Sequence, residues 1–238
     1  TNTPAGDGGA LEAPDSRPLY SAMPFTSGAS IPREDRILLT RRQILAAVAA
    51  TAVLPAANVW AQDAEPLPDM ILGDSDAPIE IIEYSSMTCS HCAAFHTETY
   101  PTLKEEYFDT GRAKLVFREF PLDRIALAVS AIARCSGEDR FFPFVDVMFQ
   151  TQEQWARSSD PLGEIKSIIR MGGQDPAMVD ECLADDSIIN GILAVRLHGS
   201  ETYDIASTPT FIINGESHPG NMSFEEFDTL LREIEGHI

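Results

Sequence analysis

Thr88-Cys89-Ser90-His91-Cys92-Ala93-Ala94-Phe95-His96 is the stretch on which the reading of this chain turns. Two residues separate its cysteines, a histidine lies between them, and a second histidine follows four residues after Cys92. Such a set suits a redox dithiol, part of a metal site, or two cysteines that merely share a helix. The flanking sequence discriminates. Just upstream, Pro78-Ile79-Glu80-Ile81-Ile82-Glu83-Tyr84-Ser85 is a short β-rich run that reads as a buried strand. Downstream, Ser90 to about Asp109 fits a helix closed by Gly111. Then Ala113-Lys114-Leu115-Val116-Phe117-Arg118-Glu119-Phe120 reads as a second strand, stopped by Pro121. Strand, helix and strand at this spacing form a βαβ unit, with parallel strands and a right-handed crossover.

Between Leu122 and Ile205 no segment alternates convincingly. Leu122–Cys135, Asp139–Gln150, Pro161–Met171, Pro176–Ala184 and Ser187–Tyr203 are apolar at helical spacing. Thr210-Phe211-Ile212-Ile213-Asn214-Gly215-Glu216 reads as a strand entering a tight hairpin turn at Asn-Gly. Its return strand must be very short, near Ser217-His218. Ser223 then caps a final amphipathic helix. The two ends therefore build one α/β sheet with helices inserted between them. A Cys-x-x-Cys pair at the strand-to-helix turn of the first βαβ unit is the thioredoxin arrangement. The expected division is a thioredoxin-like domain at 77–121 and 206–238, an inserted helical domain at 122–205, and an extended lead-in at 62–76.

Bulk properties narrow the partners. The chain has 238 residues, 44% of them hydrophobic, enough to bury a sizeable core. Its formal net charge is -20, and residues 1–61 hold five basic and five acidic residues, so 62–238 carry the whole imbalance. Such a surface repels nucleic-acid phosphates and anionic lipid heads. Residues 1–36 are rich in Gly, Pro, Ser and Ala and read as disordered. Arg41 and Arg42 then precede an apolar run from Ile44 to about Ala57, short of the roughly 20 residues a membrane span needs. This reads as an export signal, with cleavage expected after Ala61 in Val59-Trp60-Ala61. Thr40-Arg41-Arg42-Gln43-Ile44-Leu45 resembles a twin-arginine signal. The general secretory route and an uncleaved anchor are the alternatives. The expected location is the periplasm.

In an exported protein the dithiol reading has a chemical basis. A thiolate attacks disulfides, and an ordinary cysteine with a pKa near 8.5 is scarcely ionised at neutral pH. A helix N-terminus presents unpaired N–H groups and partial positive charge. Cys89 sits there and is the expected nucleophile. Cys92, three residues on and covered by the first turn, is the expected resolving cysteine. His91 is expected to add a donor or positive charge beside Cys89. That would stabilise the reduced form and make the oxidised form a stronger oxidant, by roughly 30 mV per unit of pKa lowering. Glu83, six residues before Cys89 and beside apolar Ile81 and Ile82, is expected to point into the sheet–helix interface; a solvent-facing strand residue is the alternative. In the interface it could exchange the Cys92 proton. Thr208-Pro209 precedes the hairpin strand. If that bond is cis, Pro209 abuts the dithiol and Thr208 offers backbone groups to an extended substrate; a trans proline starting an edge strand is the alternative.

These residues together resemble the DsbA-like thiol:disulfide oxidoreductases of bacterial cell envelopes. Glu83-Tyr84-Ser85-Ser86-Met87-Thr88-Cys89-Ser90-His91-Cys92, the inserted helices, and Ser207-Thr208-Pro209-Thr210-Phe211-Ile212-Ile213-Asn214-Gly215 carry the likeness, over about residues 70–237. The resemblance implies a thioredoxin fold with a helical insertion, a nucleophilic Cys89, a resolving Cys92, a cis Pro209 facing them, and Glu83 as the buried acid. It also implies a monomer that needs no cofactor, oxidises reduced exported proteins, and is reoxidised by a quinone-linked membrane partner like DsbB. Ser90, Thr208 and His96 stand where the best-known members carry proline, valine and an acid.

Cys135 and Cys182, both in the helical block, are expected to form a structural disulfide in an oxidising compartment. Closing that loop is worth about 4 kcal/mol on the chain-entropy model. Phe141, Phe142 and Phe144 are expected in the core, with any exposed remainder serving as a substrate groove. Asp175 to Asp186 reads as a solvated acidic face, and His198 and His218 as surface residues. Two other functions compete. A disulfide isomerase or reductase would use the same scaffold. A metal-binding protein would use Cys89, Cys92 and His96.

Overall fold

The structure, a computed structural model, describes residues 64–237. The expected export signal and its cleavage point after Ala61 lie outside the described residues. Five strands form one mixed sheet in the order β1-β3-β2-β4-β5. They are β1 (Met70–Leu72), β2 (Ile79–Ser85), β3 (Ala113–Glu119), β4 (Thr210–Ile213) and β5 (Glu216–Pro219). β2 and β3 pair in parallel, and the other three pairings are antiparallel. β1 lies inside the stretch 62–76, which the sequence reading treats only as a lead-in. Three residues are too few to show alternation, and β1 exists because β3 offers it an edge, pairing Ile71 with Val116.

The sheet is covered on both faces, and its central strands are accordingly buried almost throughout. On one face Ile79, Ile81, Leu115, Phe117, Phe211 and Ile213 join the main core. On the other, Ile82, Tyr84, Val116, Phe120 and Ile212 pack with Ile205. Period-two alternation therefore puts Glu83 on the main-core face with Ile79 and Ile81. The Asn214-Gly215 turn has positive φ at both residues, 47° and 91°, as a tight two-residue hairpin requires.

The crossover from β2 to β3 begins with α1 (Ser90–Ala94) and α2 (Tyr100–Leu103), continued by π-helical turns at Phe95–Thr99 and Lys104–Phe108. Gly111, at φ 74°, ends it. The helices between β3 and β4 are α3 (Arg124–Cys135), α4 (Glu138–Gln150), α5 (Gln152–Ala156), α6 (Pro161–Met171), α7 (Ala177–Leu183) and α8 (Asp186–Tyr203). α5 is absent from the sequence reading, its five residues being too short for a periodic pattern. α9 (Phe224–Glu235) starts with a full capping box between Ser223 and Glu226.

One buried cluster runs without a break from Ile79, Phe95 and Phe117 into Phe141, Phe144, Trp155, Ile165 and Val179. The inserted helices therefore share their core with the sheet. Cys135 and Cys182 are joined as a disulfide with Cα atoms 6.1 Å apart, tying α3 to α7. Among the described residues no helix is long and apolar enough to cross a membrane.

Candidate active site

β2 ends at Ser85, and the chain turns through Ser86–Thr88 before α1 begins. Cys89 is the N-cap of α1, with extended backbone (φ -79°, ψ 121°). Its amide donates to Ser86 O at 3.0 Å, and its carbonyl accepts from Ala93 N at 3.1 Å. The N-cap position aims the first free N–H groups of the helix at its own side chain. Cys89 is half-buried and Cys92, one turn on, is wholly buried; both are free thiols.

Position makes the two thiols unequal. Cys89 is lowered to about 5, first by the hydrogen bond from the Cys92 thiol. Partial burial opposes this, while Thr208 and the backbone N–H groups of Cys92 and His91 reinforce it. Cys92 is pushed the other way, well up, by burial first, then by its bond to Cys89 and the charge of Glu83. At neutral pH the pair therefore holds one proton, and Cys92 keeps it. When Cys89 is a thiol, it donates to Thr208 O at 3.2 Å. The Thr208–Pro209 peptide is cis.

His91 sits beside the nucleophile, but its ring is exposed and its influence on Cys89 comes through its backbone N–H.

Glu83 is fully buried. Its two carboxylate oxygens each lie 3.1 Å from His96 Nε2. Asp146 Oδ1 stands 3.7 Å from His96 Nδ1 on the far side of the ring. The ring stacks on Phe149 at 4.3 Å between centroids. Burial opposes charging this imidazole, but the Glu83 charge and then Asp146 outweigh it and raise His96 to about 9. His96 is thus a buried counter-ion of Glu83. It does not join Cys89 and Cys92 as the metal reading requires, and among the described residues no group of three or more His, Cys, Asp or Glu side chains is placed to hold a metal ion.

Three contributors escape the sequence reading. Gln152, on α5, reaches back to the dithiol loop, its Nε2 donating to Met87 O at 2.8 Å and to Cys89 O at 2.9 Å. Asp123 accepts from Thr88 Oγ1 at 2.6 Å while its other oxygen caps α3. Asp146 completes the His96 pair. Asp123 had a signal, as an acidic residue just before an apolar helix; Gln152 and Asp146 had none.

The wider comparisons agree with this geometry. The family model described as Thioredoxin matches residues 66–233. A Rickettsia bellii chain named a protein-disulfide oxidoreductase is 33% identical over 71% of this chain and 67% of its own. A Bacillus anthracis chain named as a disulfide bond formation protein D is 36% identical over 70% of this chain and 77% of its own. The crystal structure of Wolbachia pipientis alpha-DsbA1 superposes with a TM-score of 0.67 and 30% identity, covering 73% of this chain and 94% of that one. Four further Rickettsia relatives are spanned over 54–58% of their length. With a dithiol at the N-cap of the first crossover helix and a cis proline facing it, the chain belongs to the thioredoxin family, and within it to the DsbA-like protein-disulfide oxidoreductases.

Proposed function

We propose that this protein donates disulfides to reduced proteins exported from the cell. The observation that carries the reading is the opposed acidity of the two thiols, Cys89 down to about 5 and Cys92 well up. A thiolate favoured at Cys89 stabilises only the reduced protein, so its disulfide is a ready oxidant. A substrate thiolate attacks Cys89 Sγ and the Cys89–Cys92 bond breaks. Cys92 leaves with the electron pair and takes up one proton as the buried thiol. Glu83, whose charge acts on Cys92, supports that proton exchange. A second substrate thiolate then attacks the substrate sulfur of the mixed disulfide, and Cys89 leaves as thiolate. The substrate is oxidised by two electrons and the dithiol is reduced. Thr208 O, within 3.2 Å of Cys89 Sγ, offers an acceptor to the backbone of an extended substrate once the nucleophile is engaged.

Turnover needs an oxidant. The reading assigns that role to a quinone-linked membrane protein, and places the mature chain, a monomer, in the periplasm. The test is equilibration of the Cys89–Cys92 couple with glutathione. A potential near -120 mV supports a disulfide donor, and one near the roughly -270 mV of thioredoxin overturns it in favour of a reductase.

A further inference from the structure

Among the described residues, Gln152 is the side chain of the inserted helices that grips the backbone of the nucleophile itself. It is buried, and both partners of its amide are carbonyls, Met87 O at 2.8 Å and Cys89 O at 2.9 Å. Two acceptors can be met only by the NH2 face of an amide, so the contact uses both of its hydrogens. The helix that carries it is anchored in turn. Trp155, wholly buried one turn later, donates Nε1–H to Met148 O at 2.8 Å. Asp123 adds a second clasp on the same loop through Thr88, at 2.6 Å.

We propose that Gln152 is a positioning residue of the redox centre, through which the inserted helices hold the Cys89 peptide and so govern how readily the nucleophile ionises. The reasoning rests on the oxidoreductase reading above and extends it to a residue outside the sheet. The N–H groups that stabilise the Cys89 thiolate belong to the turn that this peptide starts. Their aim at Sγ depends on where the Cys89 carbonyl points, and that carbonyl is shared between Ala93 N, at 3.1 Å, and Gln152. The amide also meets the negative ends of two carbonyl dipoles beside the sulfur. Losing it takes this donor from Met87 O and leaves Cys89 O with Ala93 N alone, next to a developing negative charge, which disfavours the thiolate.

The experiment titrates the Cys89 thiolate by absorbance at 240 nm in the reduced full-length protein, alongside the glutathione equilibrium. In Gln152→Leu, nearly isosteric but without donors, the midpoint is expected to rise by about one unit from the wild-type value near 5. The oxidation equilibrium should shift about tenfold, roughly 30 mV toward a weaker oxidant. Gln152→Glu, which turns a carboxylate on the same carbonyls, should shift it further in the same direction and serves if the leucine variant does not fold. Val179→Ala, a cavity in α7 away from the dithiol loop, should lower Tm without moving the midpoint. A midpoint unchanged in both Gln152 variants overturns the proposal, whatever happens to Tm. A wild type that exchanges no disulfide with glutathione overturns the oxidoreductase reading instead.

Discussion

Cys89 and Cys92 carry the same thiol, and the start of a helix makes them different. Cys89 caps the helix, where the backbone N–H groups of Cys92 and His91 favour its thiolate; Cys92 lies under the first turn with the Glu83 charge nearby. Because the Cys92 thiol is the largest contributor to the Cys89 thiolate, Cys92→Ala should raise the Cys89 midpoint from about 5 toward the ordinary thiol range, read by absorbance at 240 nm. An unmoved midpoint would assign the stabilisation to the helix amides alone. His96 gives a second residue-scale expectation. Its folded pKa, about 9, lies above its ordinary 6.5. The pair with Glu83 thus contributes stability fully below pH 6.5 and loses it as pH rises through about 9. The Tm of the oxidised protein should fall over that window, and His96→Gln should flatten the fall. A slope that survives in the variant would place the titrating group elsewhere. The four-residue gap from Cys92 to His96 suggested a ligand, while the fold spends the imidazole on Glu83, 13 residues away in sequence. No local pattern reports that pairing.

At the scale of elements, the strands and the hairpin were legible because their signals are local. Ile79–Ser85 and Ala113–Glu119 are short runs rich in β-branched, aromatic and other apolar residues, and Asn214-Gly215 takes the positive φ values its residue types favour. The short pieces β1 and α5 were not, since each owes its form to a partner already in place. Gly199 shows packing overruling propensity. Alanine in the middle of a helix usually gains up to about 1 kcal/mol over glycine. Here an added Cβ would lie 2.5 Å from Tyr84 Cε1. Tyr84 is wholly buried, and its hydroxyl accepts from Arg118 Nη1 at 3.0 Å, so the ring has little room to yield. Overpacking of this kind costs about 1–3 kcal/mol. Gly199→Ala should therefore lower stability in urea unfolding; a gain would mean that α8 slides away from the sheet without cost.

Across the whole molecule, redox state and stability are linked. The depressed Cys89 pKa stabilises the reduced fold fully above the ordinary thiol value of about 8.5, and the gain disappears as pH falls through about 5. The oxidised fold has no such titration. The Tm advantage of the reduced form should shrink as pH drops to 5, measured on both forms in parallel; a difference constant with pH would contradict the thiolate assignment. The Cys135–Cys182 link acts on the same fold by constraining the unfolded chain over a separation of 47 residues. Replacing both cysteines with alanine should cost about 2–4 kcal/mol and leave the Cys89 midpoint in place. By itself the sequence determined the βαβ start, the dithiol at its turn, the helical insertion and the hairpin end, because periodicity, turn chemistry and motif spacing are properties of neighbouring residues. Only the tertiary structure decided that His96 faces Glu83 with Asp146 on the far side of its ring, and that Gln152 grips the nucleophile's peptide. Those contacts arise when the sheet closes and the insert packs against it, which juxtaposes side chains whose separation along the chain carries no signal.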